Sequence, residues 1–265
     1  MSDVEDPVIK WQKGAVAWVK LNRPRQRNAL SLPLVEALDR EMERLSYEPG
    51  VRVIVITGAG AAFCSGVDLK DAGLGSEASS DSTRLSLPIR GRAMLDRIRA
   101  SAKPVIAAIN GTTVAGGLEL ALACDIRLAT SSARIGDGHL KFGTVPGAGG
   151  GTITPRAIGP GMAKLLLFTA ELWGAQRALA AGLIEAIFPD DTFLEEVDKV
   201  AEKISCHSPS GLAITKALVD SSQSQSIEEG LGAEIDALRQ YMRSHDFAEG
   251  LAAFKEKRVP QFTGT

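Results

Sequence analysis

PVIAAINGTTVAGGLELALACDI, Pro104 to Ile126, is the stretch whose reading decides the fold. It opens with a continuous apolar run, Val105 to Ile109, which breaks at Asn110-Gly111 and again at Gly116-Gly117. From there apolar residues recur at helical spacing, and one carboxylate, Glu119, stands among Leu118, Leu120, Ala121 and Leu122. A strand, a glycine turn and the opening of a buried helix is the physical reading. Helix N-termini present unpaired backbone N–H groups, and glycine lets a ligand come close to them. The stretch therefore offers oriented donors beside an acid that is costly to bury alone and is pushed by burial toward proton-transfer work. That combination suits a reaction in which negative charge develops on an oxygen.

Upstream, Val8–Trp11 and Ala15–Leu21 flank Lys13-Gly14 as a hairpin. Ser31 caps a helix with Pro33 in its first turn and Leu34, Leu38, Met42 and Leu45 on one face. VRVIVIT, residues 51–57, reads as a strand buried on both faces, followed by a glycine-punctuated loop to Lys70. Residues 71–82, rich in Gly, Ser and acids, read as a mobile surface loop or lid, and a helix is expected over 89–98. Downstream, 126–129 reads as a short strand and 134–142 as irregular. TVPGAGGG, 144–151, is a second glycine-rich turn. Helices are expected over 155–170 and 174–181, and a strand over 183–188. After Asp191 the pattern is purely helical. The sequence thus divides into an α/β core, 1–190, and a C-terminal helical region, 191–265, suited to oligomerisation.

Composition narrows the classes of function. With 265 residues, 45% hydrophobic, the chain can bury one large core. A net charge of −2 leaves no footprint for general nucleic-acid binding. No apolar run approaches the ~20 residues of a membrane span, and MSDVEDPVIK lacks the apolar core of a signal peptide. Cys64, Cys124 and Cys206 are far apart and read as buried, reduced thiols of a cytoplasmic protein. The three histidines and three cysteines show no metal-ligand spacing.

Five ordered motifs carry a resemblance over nearly the whole chain: LNRPRQRNAL (21–30), VIVITGAGAAFCSGVDLK (53–70), PVIAAINGTTVAGGLELALACDI (104–126), GTVPGAGG (143–150) and EGLAAFKEKRVPQF (249–262). On these the chain resembles the crotonase, or enoyl-CoA hydratase/isomerase, superfamily. The resemblance implies a crotonase-like spiral of ββα units followed by a helical region, assembled as a homotrimer or homohexamer. It implies an acyl-CoA substrate, with coenzyme A as part of that substrate and no separate cofactor. The backbone N–H groups of Val67 and Gly116 would form an oxyanion hole for the thioester oxygen, and Glu119 would be a catalytic carboxylate. Asp68 and Leu69 would hold the adenine, Lys257 would approach the phosphates, and Arg25 stands where a basic residue meets a phosphate.

The chain departs from the family's hydratase pattern at one position. Where a second Glu is usual before the glycine turn, alignment on that turn places His139 of IGDGHLKFGTVPGAGG. Histidine can activate water or deliver a proton near neutral pH, so Glu119 with His139 is a sufficient pair for hydrating a 2-enoyl-CoA. Asp137 either orients His139 or only makes a turn with Gly136 and Gly138. The alternatives are an isomerase using Glu119 alone, a hydrolase in which His139 directs C–C cleavage of a β-diketone, and a non-catalytic acyl-CoA binder. In the His-dependent hydrolases of the family an acid in the PGxGG turn assists the His; here that residue is Ala148. Gly151-Thr152-Ile153 also replaces the more usual Thr-Gln-Arg after the glycines.

Overall fold

A computed structural model describes residues 6–70 and 81–265. The chain begins with β1 (Val8–Lys13) and β2 (Val16–Leu21), then α1 (Leu32–Tyr47), β3 (Val53–Gly58), β4 (Ala62–Cys64) and α2 (Asp81–Arg99). The decisive stretch folds as β5 (Val105–Ile109), β6 (Thr112–Val114) and α3 (Gly116–Ala123). It is followed by β7 (Ile126–Thr130), β8 (Arg134–Gly136), a 3-10 turn over His139–Phe142, α4 (Gly150–Ile158) and α5 (Pro160–Thr169). Then come β9 (Leu172–Gly174), α6 (Ala175–Ala181), β10 (Ala186–Phe188), α7 (Phe193–Ser205), α8 (Pro209–Ser222), α9 (Ile227–Tyr241) and α10 (His245–Glu256).

The strands form two sheets, one ordered β1-β2-β3-β5-β7-β10 and one ordered β4-β6-β8-β9. Each turn of the spiral lays a longer apolar strand in the first sheet and a three-residue strand in the second. β3, β5 and β7 pair in parallel, and so do β4, β6 and β8. Every residue of β3 and β5 is buried, because the first sheet is covered on both faces. Trp18, Val55, Ile106 and Leu128 on one face pack with Phe193, Val197 and Ala201 of α7. On the other, Val19, Ile54, Ile56, Val105 and Ala107 join Leu34, Leu38 and Met42 of α1 and Leu118 of α3. Ser31 caps α1 as its sequence position suggests, accepting a hydrogen bond from the Leu34 amide.

Several sequence expectations change. Residues 134–142 are not irregular: they hold β8 and the 3-10 turn, both too short to leave a periodic signature. The helix expected over 155–170 is two helices broken at Gly159, where φ is +76°. Cys64 and Cys124 are buried, but Cys206 is exposed. Of the lid expected over 71–82, residues 71–80 lie outside the described residues, and Asp81-Ser82 open α2. Among the described residues no helix is long and apolar enough to cross a membrane.

Asn28 ties the first turn of the spiral to its start. It is fully buried, with a positive φ of 56° that asparagine tolerates better than most residues. Its amide donates to the carbonyls of Ala59 (3.0 Å) and Ala62 (2.7 Å), and its side-chain oxygen accepts from the Arg23 amide (2.9 Å). Asn28→Ala removes all three bonds and leaves the Ala62 carbonyl only a long bond from the Asn110 amide (3.4 Å), so urea unfolding is expected to show a loss of about 2–3 kcal/mol.

Candidate active site

The parallel order of the second sheet brings the ends of β4, β6 and β8 to one edge, and each end delivers a piece of the site. The loop after β4 carries Gly66, Val67 and Asp68. Leu30 pairs with it as a parallel bridge: the Leu30 amide donates to the Gly66 carbonyl (2.7 Å), and the Asp68 amide donates to the Leu30 carbonyl (3.0 Å). The amide of Val67, between these two, points away from Leu30. Gly66 has φ +93°, and a Cβ on it would press on the Val114 carbonyl and the Gly116 amide. Glycine there lets the two loops approach closely.

The end of β6 enters α3 through Ala115, a non-glycine residue with φ 52° and ψ −115°. Strain of this kind costs about 1–3 kcal/mol and persists only where the surroundings impose it. Here the Ala115 amide donates to the Gly136 carbonyl at the end of β8 (3.2 Å) and its carbonyl accepts from the Glu119 amide (3.0 Å). Gly116 and Gly117 then start the helix. A Cβ on Gly117 would overlap the Cys64 carbonyl, and the Cβ position of Gly116 lies 3.5 Å from the Val67 nitrogen. The Val67 and Gly116 amides thus stand side by side, and neither donates to another described residue.

Glu119 lies one turn into α3 and is 3% exposed. It is not a lone buried acid. Its Oε1 accepts from the amides of Ala148 (2.8 Å) and Gly150 (2.9 Å), in the turn that opens α4. Backbone donors at a helix N-terminus suit a carboxylate. Oε2 is left for other partners. The turn is braced from behind by Arg99 of α2, whose guanidinium donates to the Ala148 carbonyl (2.8 Å) and to Asp96 (2.5 Å). Burial pulls Arg99 below its usual range, with the charges of Asp96 and Glu119 acting against it. Arg99→Met removes the brace while keeping bulk. It is expected to lower turnover about tenfold, on the scale of one charged hydrogen bond, with a smaller change in KM; steady-state kinetics checks it.

His139 follows β8 and is 9% exposed. Its Nδ1 is 2.7 Å from Oδ2 of Asp137, and its backbone amide donates to the other Asp137 oxygen (3.0 Å). Asp137 is itself buried, and it makes both contacts the sequence offered, closing the turn onto the His139 amide and meeting the His139 ring. Burial pulls the imidazole down, but the hydrogen bond and charge of Asp137, with the charge of Glu119, outweigh it, and the net shift is upward. The ring is therefore set with Nδ1 on Asp137 and Nε2 as its remaining polar atom. Gly150 lies between the two acids: its amide holds Glu119, and a Cβ on it would sit 3.3 Å from Asp137 Oδ2.

Val67, Leu69, Gly116, Glu119 and His139 all line one cavity of about 200 Å³. The other sequence-derived residues do not line it. Asp68 pairs with Arg23 (3.0 Å), Arg25 is exposed on a 3-10 turn, and Lys257 is exposed just after α10. Sequence reasoning missed Arg23, Arg99 and the Ala148 and Gly150 amides. Such an arrangement can hold an oxyanion on two amides while a carboxylate and an imidazole move protons beside it.

The chain matches the enoyl-CoA hydratase/isomerase family over residues 12–265. It is 36% identical to the 2,3-dehydroadipyl-CoA hydratase of Escherichia coli, over 94% of this chain and 95% of that one. It is 34% identical to the crotonyl-CoA hydratase of Syntrophomonas wolfei, over 96% and 97%. Among solved structures, an enoyl-CoA hydratase from Bacillus anthracis superposes with a TM-score of 0.93 at 36% identity, covering 98% of this chain and all of that one.

Proposed function

The chain belongs to the enoyl-CoA hydratase/isomerase family, is an enzyme of that type, and on this premise we propose that it hydrates a 2-enoyl-CoA with Glu119 and His139 as its acid/base pair. The observation that carries the reading is that two amides that donate to no other described residue, Val67 and Gly116, share one cavity with both residues. The thioester oxygen sits on the two amides. Glu119, positioned by the Ala148 and Gly150 amides, takes a proton from water. The hydroxyl bonds to C3, the C2=C3 electrons move onto the thioester oxygen, and the resulting enolate takes a proton at C2 from His139. The proton on Glu119 then passes to His139, directly or by exchange through solvent water, and the site is reset. Each oxyanion donor contributes up to roughly 3 kcal/mol to the barrier reduction.

The scheme uses no cofactor beyond the coenzyme A of the substrate, with Asp68, Leu69, Arg25 and Lys257 as its contacts. A cytoplasmic location belongs to the same reading and is supported by three unpaired thiols. So does a homotrimer or homohexamer built through the helical region from 191. It is supported by the exposed apolar stripe Ile227, Leu231, Ile235 and Leu238 on α9. The test is the loss of enoyl-thioester absorbance with crotonyl-CoA and longer 2-enoyl-CoAs. Purified protein that leaves all of them unchanged overturns the reading.

The Asp137–His139 pair favours a second reading, because it supplies by another route the acid that Ala148 lacks. An imidazole so set could direct water onto a β-keto carbonyl and cleave a C–C bond. Product mass separates the two: substrate plus water as one molecule for hydration, two fragments for cleavage.

A further inference from the structure

Helix α2 forms one wall of the cavity, and its facing stripe has a gap. Leu87, Gly91 and Leu95 are spaced four apart, so they lie on one face. All three line the cavity; the two leucines are each 2% exposed. The periodicity asks for a third large apolar residue at 91, and the sequence places glycine there. Glycine in a helix interior is about 1 kcal/mol worse than alanine. Among the described residues no neighbour requires it: a Cβ on Gly91 would meet none of them within 4 Å. This sets it apart from Gly116 and Gly117, which are packed against the loop after β4 and the end of β4 itself. Gly91 therefore leaves space that no side chain of the described residues fills.

The rest of that space is lined mainly by apolar side chains, with the hydroxyl residues Ser65 and Thr144 among them. Leu30, Phe142 and Val145 line it with the α2 leucines, and among the described residues its ionisable groups are Glu119 and His139, both committed to the reacting end. A carboxylate carried into it would be desolvated without a cationic partner among those residues.

We propose that Gly91 is a specificity-determining residue, whose missing side chain admits an uncharged hydrocarbon acyl chain longer than crotonyl, and that the pocket discriminates against an acyl chain ending in a carboxylate. The inference rests on the hydration reading for the identity of the thioester, but its test does not require turnover. Saturated butyryl-, hexanoyl- and octanoyl-CoA and adipoyl-CoA are titrated calorimetrically into the wild type, Gly91→Ala and Gly91→Leu. In the wild type, affinity rises by up to roughly fourfold for each added methylene that is buried, and adipoyl-CoA binds at least tenfold more weakly than hexanoyl-CoA. Gly91→Leu cuts the octanoyl-to-butyryl affinity ratio at least tenfold, and Gly91→Ala cuts it by a smaller factor. Alanine improves the helix, so Gly91→Ala keeps the test informative if the leucine variant does not fold. Affinity independent of chain length, a ratio unchanged in the folded variants, or adipoyl-CoA binding as tightly as hexanoyl-CoA overturns the proposal. Chain-length-selective binding without hydration of any enoyl-CoA would overturn the reaction assignment and leave the pocket assignment standing.

Discussion

Glu119→Gln is expected to lower kcat for enoyl-CoA hydration about 10³-fold, within the roughly 10²–10⁴-fold range of a positioned acid or base. The substitution isolates chemistry from folding. A glutamine carbonyl can still accept from the Ala148 and Gly150 amides, so the turn before α4 keeps both of its anchors. What disappears is the second oxygen's ability to take a proton from water. KM should change little, because the thioester oxygen rests on the Val67 and Gly116 amides rather than on Glu119. Thermal unfolding should stay within a few degrees of the wild type, since both amide bonds that anchor the turn have an acceptor in either case. A fall of less than tenfold in kcat, with product unchanged, would mean that Glu119 only caps α4.

How far this site can be read from sequence depends on how local each contact is. Glu119 and Gly116 are legible because burial and helix start are both written within eight residues. The Val67 loop is legible from its glycine punctuation and its motif. The partners of Glu119 are not: Ala148 and Gly150 stand 29 and 31 residues away, and they meet it only because α3 and α4 pack together. Arg99 reaches the same turn across 49 residues. Asp137 is two residues from His139, so sequence named both roles open to it, but showing that it fills both required the ring to be seen on its carboxylate. The fold divides in the same way. β3 and β5 announce themselves as buried apolar runs. β4, β6 and β8 are three residues each, below the length at which alternation can be recognised. Those short strands set the geometry of the site, since their ends carry its three pieces. Gly91 is silent in sequence, because a glycine in a helix has no meaning until the face it occupies is known.

Asp137→Asn is expected to move the alkaline limb of the kcat/KM profile to lower pH and to lower the rate by roughly 10²-fold or more, the scale of a misplaced acid. The sign follows from the forces on the imidazole. Burial alone favours neutral His139, while the hydrogen bond and charge of Asp137, helped by Glu119, reverse this and raise it overall. The folded chain therefore keeps the imidazolium to higher pH than the unfolded chain. If His139 gives the proton to C2, activity is lost as pH rises through the raised folded value. Removing the Asp137 charge leaves burial in control, so the limb retreats toward acid. Stability obeys the same linkage: the contribution of the pair is fully present below the unfolded histidine value and is lost as pH climbs through the folded one. His139→Ala should abolish that limb along with most of the rate. A merely structural Asp137 would behave differently: its loss would lower the unfolding temperature while the limb stayed in place, and that outcome would remove His139 from the proton-transfer scheme and leave Glu119 to act alone.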